Sequence, residues 1–247
     1  NLMKTTELKI TEGGYVALLH VTGKTLESST PGVYKVDDLA GQITTKSMGF
    51  SQKYAMFAMS QVSGADAGQQ SMNITGAVTR SGGVKQMAPI SILASHDLKV
   101  IKENPVDIAW TSNASIKDFV VQVLAEDNTV LYTQVVNTNS ATLDLSKMSK
   151  EKLQLKIINK NNEVESSIIH RLQLVSEQNE EVKDLDLMMH AIDASSALDH
   201  LMIATICEEK GLILDAMQHY SQAIALGKDV PDFVTAFTEF NNRHDIP

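Results

Sequence analysis

The chain has one cysteine, five prolines and one tryptophan in 247 residues, and aromatics make up only 5%. A lone Cys207 excludes an internal disulfide and leaves at most one thiolate to ligate a metal. No run approaches the roughly 18–20 apolar residues that span a bilayer as a helix. Gly-x-Ser-x-Gly, the P-loop, Gly-x-Gly-x-x-Gly and His-Glu-x-x-His are all missing. The common sequence signatures of hydrolysis, nucleotide binding and zinc proteolysis are therefore absent. Gly13-Gly14 and Gly82-Gly83 read as turn glycines rather than phosphate cradles.

What is present is ordinary globular material, 43% apolar and 21% charged. At 247 residues the chain can hold one large domain or two to three small ones. The net charge of −9 is placed unevenly. Residues 1–175 are close to neutral, and the acidic excess sits in residues 176–247. Such a surface repels phosphate backbones, so nucleic-acid binding there is not expected. The chain begins at Asn1. We therefore expect a processed or truncated chain from which any signal peptide has already gone.

Three segments follow from periodicity and turn chemistry, giving an α+β chain. Residues 1–85 read as a small β-rich unit with one helix. Leu8–Ile10, Tyr15–Val21, Thr25–Glu27 and Val33–Val36 are short strands between Gly and Pro turns, expected to pair as an antiparallel meander. Phe50, Tyr54, Phe57, Ala58 and Val62 fall near helical spacing, which predicts a helix over 47–62. A loop over 63–71, a strand over 74–78 and a break at 81–83 follow.

Residues 86–176 are strand-rich. Ile90–Leu93, Val106–Thr111, Phe119–Ala125, Val130–Val136, Ala141–Leu145, Leu153–Ile158 and Ile168–Val175 are separated by Asn- and Asp-rich turns. Short strands at this spacing predict a β-sandwich. Leu153, Leu155 and Ile157 alternate with Gln154 and Lys156, so one face is buried. Trp110 is expected in the core. The Pro105–Trp110 and Phe119–Val123 strands and the strand count resemble a fibronectin type III or immunoglobulin-like domain. Without a cysteine pair, the disulfide-bearing antibody type is excluded. The resemblance implies a fold and is nearly silent on activity.

Residues 177–247 read as helical. An amphipathic run over 179–193 carries Val182, Leu185, Met189 and Ile192. Ser195 or Ser196 caps the next helix, which runs to about Lys210 and stops at Gly211. The following helix ends at Gly227, and Pro231 opens the last. Ala204, Gly211, Ala216, Tyr220 and Ala223 have the spacing of a close-packed helical hairpin, and residues 197–230 resemble one tetratricopeptide repeat. His200 stands where that family has Trp, and Lys228 where it has Pro. A single repeat must be covered by its flanking helices, so a peptide groove of the usual kind is not expected.

The stretches Gly13–His20, Gly23–Leu26 and Pro31–Tyr34 resemble the FecR-type β domain of bacterial envelope signalling proteins. Together the three resemblances imply a modular bacterial envelope protein. A bacterial origin would make the glycosylation sequons at Asn73 and Asn113 accidental.

Four of the seven histidines, His190, His200, His219 and His244, lie in the acidic third. His190 and Asp193 are spaced to share a helix face, as two ligands of a divalent metal would be. No third ligand is set by spacing, and the plainer reading is exposed helix histidines. His96-Asp97 and His170 could imitate parts of a hydrolytic triad, but a strand histidine such as His170 is more simply a packing residue. Cys207, on an apolar helical stretch near His200 and His219, reads as a buried core thiol.

The leading expectation is a non-enzymatic envelope protein that holds or recruits a protein partner, with no cofactor and no assigned catalytic or metal residues. The alternatives are a periplasmic sensing or signalling protein of the FecR type, or a metal-dependent hydrolase with a site near His190 and Asp193.

Overall fold

The structure, a computed structural model, describes residues 2–20, 25–42, 88–190, 192, 194–227 and 230–247. It is an α+β chain with a helical C-terminal region. The chain divides into two compact units. One comprises Asn1–Ser71, Asp184–Lys210 and Asp215–Glu239; the other comprises Met72–Lys183, Gly211–Leu214 and Phe240–Pro247. The helix expected over 47–62, the loop over 63–71, the strand over 74–78 and the break at 81–83 lie outside the described residues.

The second unit is built on two sheets. Strands β5 (Ile90–Ile92), β7 (Val106–Ser112) and β10 (Ser140–Leu143) form a three-stranded sheet in the order β10-β7-β5. The larger sheet runs β6-β13-β11-β8-β9. Its members are β6 (Asp97–Ile101), β8 (Phe119–Ala125), β9 (Val130–Val136), β11 (Lys152–Asn159) and β13 (His170–Val175), with β12 (Asn162–Ser166) also paired to β11. The sequence predicts β8 and β9 to the residue, because β-branched runs there are bounded by Asn and Asp turns. It does not predict β6 or β12.

Both sheets turn apolar residues inward at alternate positions, and these share one core. Val106, Ile108 and Trp110 from one sheet meet Phe119, Val121 and Val123 and the Leu153–Leu155–Ile157 stripe from the other. The Trp110 and Phe119 rings meet edge to face, centroids 5.3 Å apart at 71°. Chain order explains the sandwich. β5, β6, β7, β8, β10, β11 and β13 each bury alternate residues, and the facing sheet covers them. All pairings in these sheets are antiparallel except one. β6 lies parallel to β13, with Arg171 beside Asp97 and Leu172 beside Leu98.

In the first unit, β1 (Glu7–Ile10), β2 (Val16–Leu19), β3 (Thr25–Ser28) and β4 (Gly32–Lys35) do not form the expected meander. β1 pairs antiparallel with β4, placing Leu8 opposite Tyr34, while β2 and β3 form a separate hairpin. The physical reason lies at Thr11–Gly14. Gly13, at φ 73°, and the Gly14 N–H to Thr11 C=O bond of 2.8 Å close a local turn that does not return the chain alongside β1. The outer strands then pair with each other around the inner hairpin. Helix α1 (Val36–Gln42) follows β4 directly, with Asp37 and Asp38 favourably placed in its first turn.

The C-terminal helices are α2 (Glu180–His190), α3 (Ala197–Glu209), α4 (Ile213–Leu226) and α5 (Pro231–Arg243). Ser196 caps α3: its side chain accepts from the Asp199 N–H at 3.1 Å. The Glu27 carboxylate on β3 accepts from the Leu198 N–H, adding a negative charge where the helix dipole is positive. α3 is buried from Ala197 to Glu208 except at the half-buried His200, as expected of a mostly apolar helix. Ala204, Ala216 and Ala223 are fully buried, so the small residues of the hairpin signature serve close packing. Gly211, at φ 75°, ends the α3 segment in a conformation that a side chain disfavours.

Gly227 is required for a different reason. A Cβ there would sit 2.5 Å from the Phe233 ring, which is itself fully packed. Gly227→Ala is expected to lower stability by about 1–3 kcal/mol, the usual cost of overpacking. Urea unfolding should show an earlier midpoint with an unchanged slope.

Candidate functional site

The sandwich unit carries an open groove of about 1050 Å³ on the outer face of its larger sheet. Its floor is β6, β13 and β11, which present Asp97, Lys99, Arg171, Gln173, Lys152 and Gln154 outward. These are the positions between the buried Leu98, Leu172 and Leu153, so the pleat that fills the core also lines the groove. The far side is Gly211, Ile213 and the Arg243–Asp245 turn.

The charges on the floor are largely paired. Arg171 donates to both Asp97 oxygens, through Nε to Oδ1 and through Nη2 to Oδ2 at 2.7 Å. This bidentate fork holds the Asp97 carboxyl below the ordinary carboxylate range. The Lys99 ammonium lies 3.4 Å from the Glu181 carboxylate. Both pairs face solvent and add little stability. Their effect is to hold an ordered, nearly neutral polar strip.

At one end of the groove lie Ser95, His96 and Asp97, with the buried His170 packed against them from the core side; these are the residue types of a hydrolytic triad. The wiring differs from one. His170 is buried, and its Nδ1 donates to the Ser95 carbonyl at 2.8 Å. The Ser95 hydroxyl donates to the Asp97 main-chain carbonyl at 2.6 Å, and the Asp97 carboxylate is taken by Arg171. No hydroxyl–imidazole–carboxylate relay links Ser95, His170 and Asp97. Burial pushes the His170 imidazole below its ordinary pKa, so it stays neutral and locks β13 to the chain before β6. The His96 ring packs on it with centroids 5.1 Å apart.

The other unit holds a second polar cluster. His200 on α3 and His219 on α4 meet with their Nδ1 atoms 2.9 Å apart, so one ring donates and the other accepts. That bond requires the accepting imidazole to be neutral. Burial, with the neighbouring His200 ring, pushes His219 down to about 4, and burial also lowers His200. Beyond them the Tyr220 hydroxyl donates to Glu208 at 3.0 Å across the same two helices. Cys207 is fully buried, and burial pushes its thiol well above the ordinary range, with the Asp215 carboxylate adding to the effect. A thiol so placed is a poor nucleophile.

His190 closes α2, but its side chain and all of Asp193 lie outside the described residues. Among the described residues, no three His, Cys, Asp or Glu side chains are grouped to hold a metal ion. Among them also, no helix is long and apolar enough to cross a membrane. No protein-family model matches the chain, and no curated protein matches it significantly.

Sequence reasoning singled out His96, Asp97 and His170 but not Ser95 or Arg171. The Asp97–Arg171 pair depends on the parallel β6–β13 register, and no local spacing signals it. The meeting of His200 and His219 was accessible in principle, since a hairpin turning at Gly211 brings the two helices alongside.

The low His219 pKa has a stability consequence. The unfolded chain takes up a proton near pH 6.5, whereas the folded chain resists it until about 4. Stability is therefore fully present above 6.5 and falls as pH drops from about 6.5 to about 4, by on the order of 1 kcal/mol after solvent screening. His219→Gln should flatten that part of a melting-temperature-against-pH curve.

Proposed function

We propose that the chain is a non-enzymatic interaction protein of the cell envelope, which holds or recruits another protein through its sandwich unit. The observation that carries this reading is the groove over β6, β13 and β11. It is broad and open, its floor is built on rigid strands, and its charges are largely paired rather than left to activate a nucleophile. Charged groups fixed on such a floor give orientation and specificity when they meet complementary charges of a partner. The pairing order β10-β7-β5 against β6-β13-β11-β8-β9 supports the likeness to fibronectin III and immunoglobulin-like modules, which commonly serve as interaction domains. The fully packed α3–α4 pair, with its tetratricopeptide-like spacing, then serves as structural support. The envelope location rests on the FecR-like punctuation of the N-terminal strands.

A photo-crosslinking side chain placed at Gln173, on the groove floor, should trap one discrete partner in envelope extracts. The same probe at Glu163, exposed on β12, should not. Equal, non-specific labelling at both positions would contradict the groove as the binding surface.

A further inference from the structure

Among the described residues β9 is an open edge of the larger sheet, and the other edges around it are blunted in ways that β9 is not. β6, at the opposite end, carries Asp97 and Lys99; β12 carries Glu163 and Glu165; β5 and β10 are short. Charge and shortness are the usual protections of a sheet edge. β9 has seven residues and, among the described residues, pairs only with β8. It has no proline and no charge; from Asn128 to Leu143 the chain contains no Lys, Arg, Asp or Glu. Its outer side is apolar and wet, with Val130 48% and Val135 54% exposed. A register shift at the Val130 end leaves Tyr132–Val136 as the regular stretch.

We propose that this edge is a homodimer interface, in which β9 pairs antiparallel with β9 of a second copy and joins the two large sheets into one. The argument for a second copy is complementarity. An antiparallel strand meets its own sequence reversed about a twofold axis. With the axis at Gln134, Tyr132 lies opposite Val136 of the second copy, Thr133 opposite Val135, and Gln134 opposite itself. Aromatic–β-branched and β-branched pairs of this kind are favourable across strands, and two glutamines can exchange amide hydrogen bonds. Each copy carries a net charge of −9, so two copies approach with least repulsion along a neutral surface. The proposal does not depend on the groove, which lies on the face of the sheet rather than along this edge.

Sedimentation equilibrium of the full chain over a concentration series tests it. The mass should rise from 27.0 kDa to twice that value. T133K/V135K sets like charges opposite each other across the axis and should remain at 27.0 kDa at every concentration. T133K/V135E sets each new lysine opposite a new glutamate and should dimerise as the unmodified chain does. Circular dichroism establishes that both variants are folded. Independently, Q134C should form an inter-chain disulfide under mild oxidation, because the native Cys207 is buried and cannot compete. An unmodified chain that stays monomeric, or a T133K/V135K variant as dimeric as the unmodified chain, overturns the proposal. Dissociation of T133K/V135E, or no cross-link in Q134C, overturns the register.

Discussion

The contact between two sheets around Trp110 is the constraint on which the sandwich unit depends. Trp110 is almost completely buried, packed edge to face on Phe119, and the fully buried Leu155 and Ile157 extend the same core. Neither sheet could persist without the other. A three-stranded sheet with one apolar face has nowhere else to hide it, and the larger sheet would lie open along its central strands. The same pleat that points Leu98, Leu172 and Leu153 into this core points Asp97, Arg171 and Lys152 away from it. The groove is therefore a consequence of the core, read from the other side of the sheet.

This origin explains the chemistry of the groove. Its polar residues lie on neighbouring strands held in register by main-chain hydrogen bonds, and they find one another across the strands. Asp97 takes Arg171, while Ser95 and His170 bind main-chain carbonyls and secure the chain where it enters β6. The first unit follows the same pattern. His200 satisfies His219, Tyr220 satisfies Glu208, Ser196 caps α3 and Glu27 supplements the cap. Side chains that a sequence reader would mark as reactive are committed to holding strands and helices in place.

What could be read from the sequence was what depends on neighbours in the chain. Phe119–Ala125 and Val130–Val136 are β-branched runs closed by Asn and Asp turns, and they are strands at those residues. Ser196, Gly211 and Pro231 mark helix boundaries through local backbone chemistry and were legible for the same reason. Distant pairing was not legible. Asp97–Ile101 has a charged, mixed pattern and becomes a strand because β13 arrives parallel to it from far along the chain. Asn162–Ser166 is polar but for the exposed Val164, and its strand character comes from β11. The nested pairing of β1 with β4 looks, strand by strand, the same as a meander. Of the candidate site, the residue types at His96, Asp97 and His170 stood out, but their partners did not, because Arg171 reaches Asp97 only through the folded register.

Amide hydrogen exchange on the intact chain tests most directly the claim that the two-sheet core organises the sandwich unit. The slowest amides should lie in β8 and β11, which are flanked by strands on both sides and buried against the three-stranded sheet, and they should exchange only with global unfolding. β5, β7 and β10 should lose protection in the same cooperative event. Exchange of β7 and β10 well ahead of β8 and β11 would mean that the larger sheet survives uncovered, and would contradict the account.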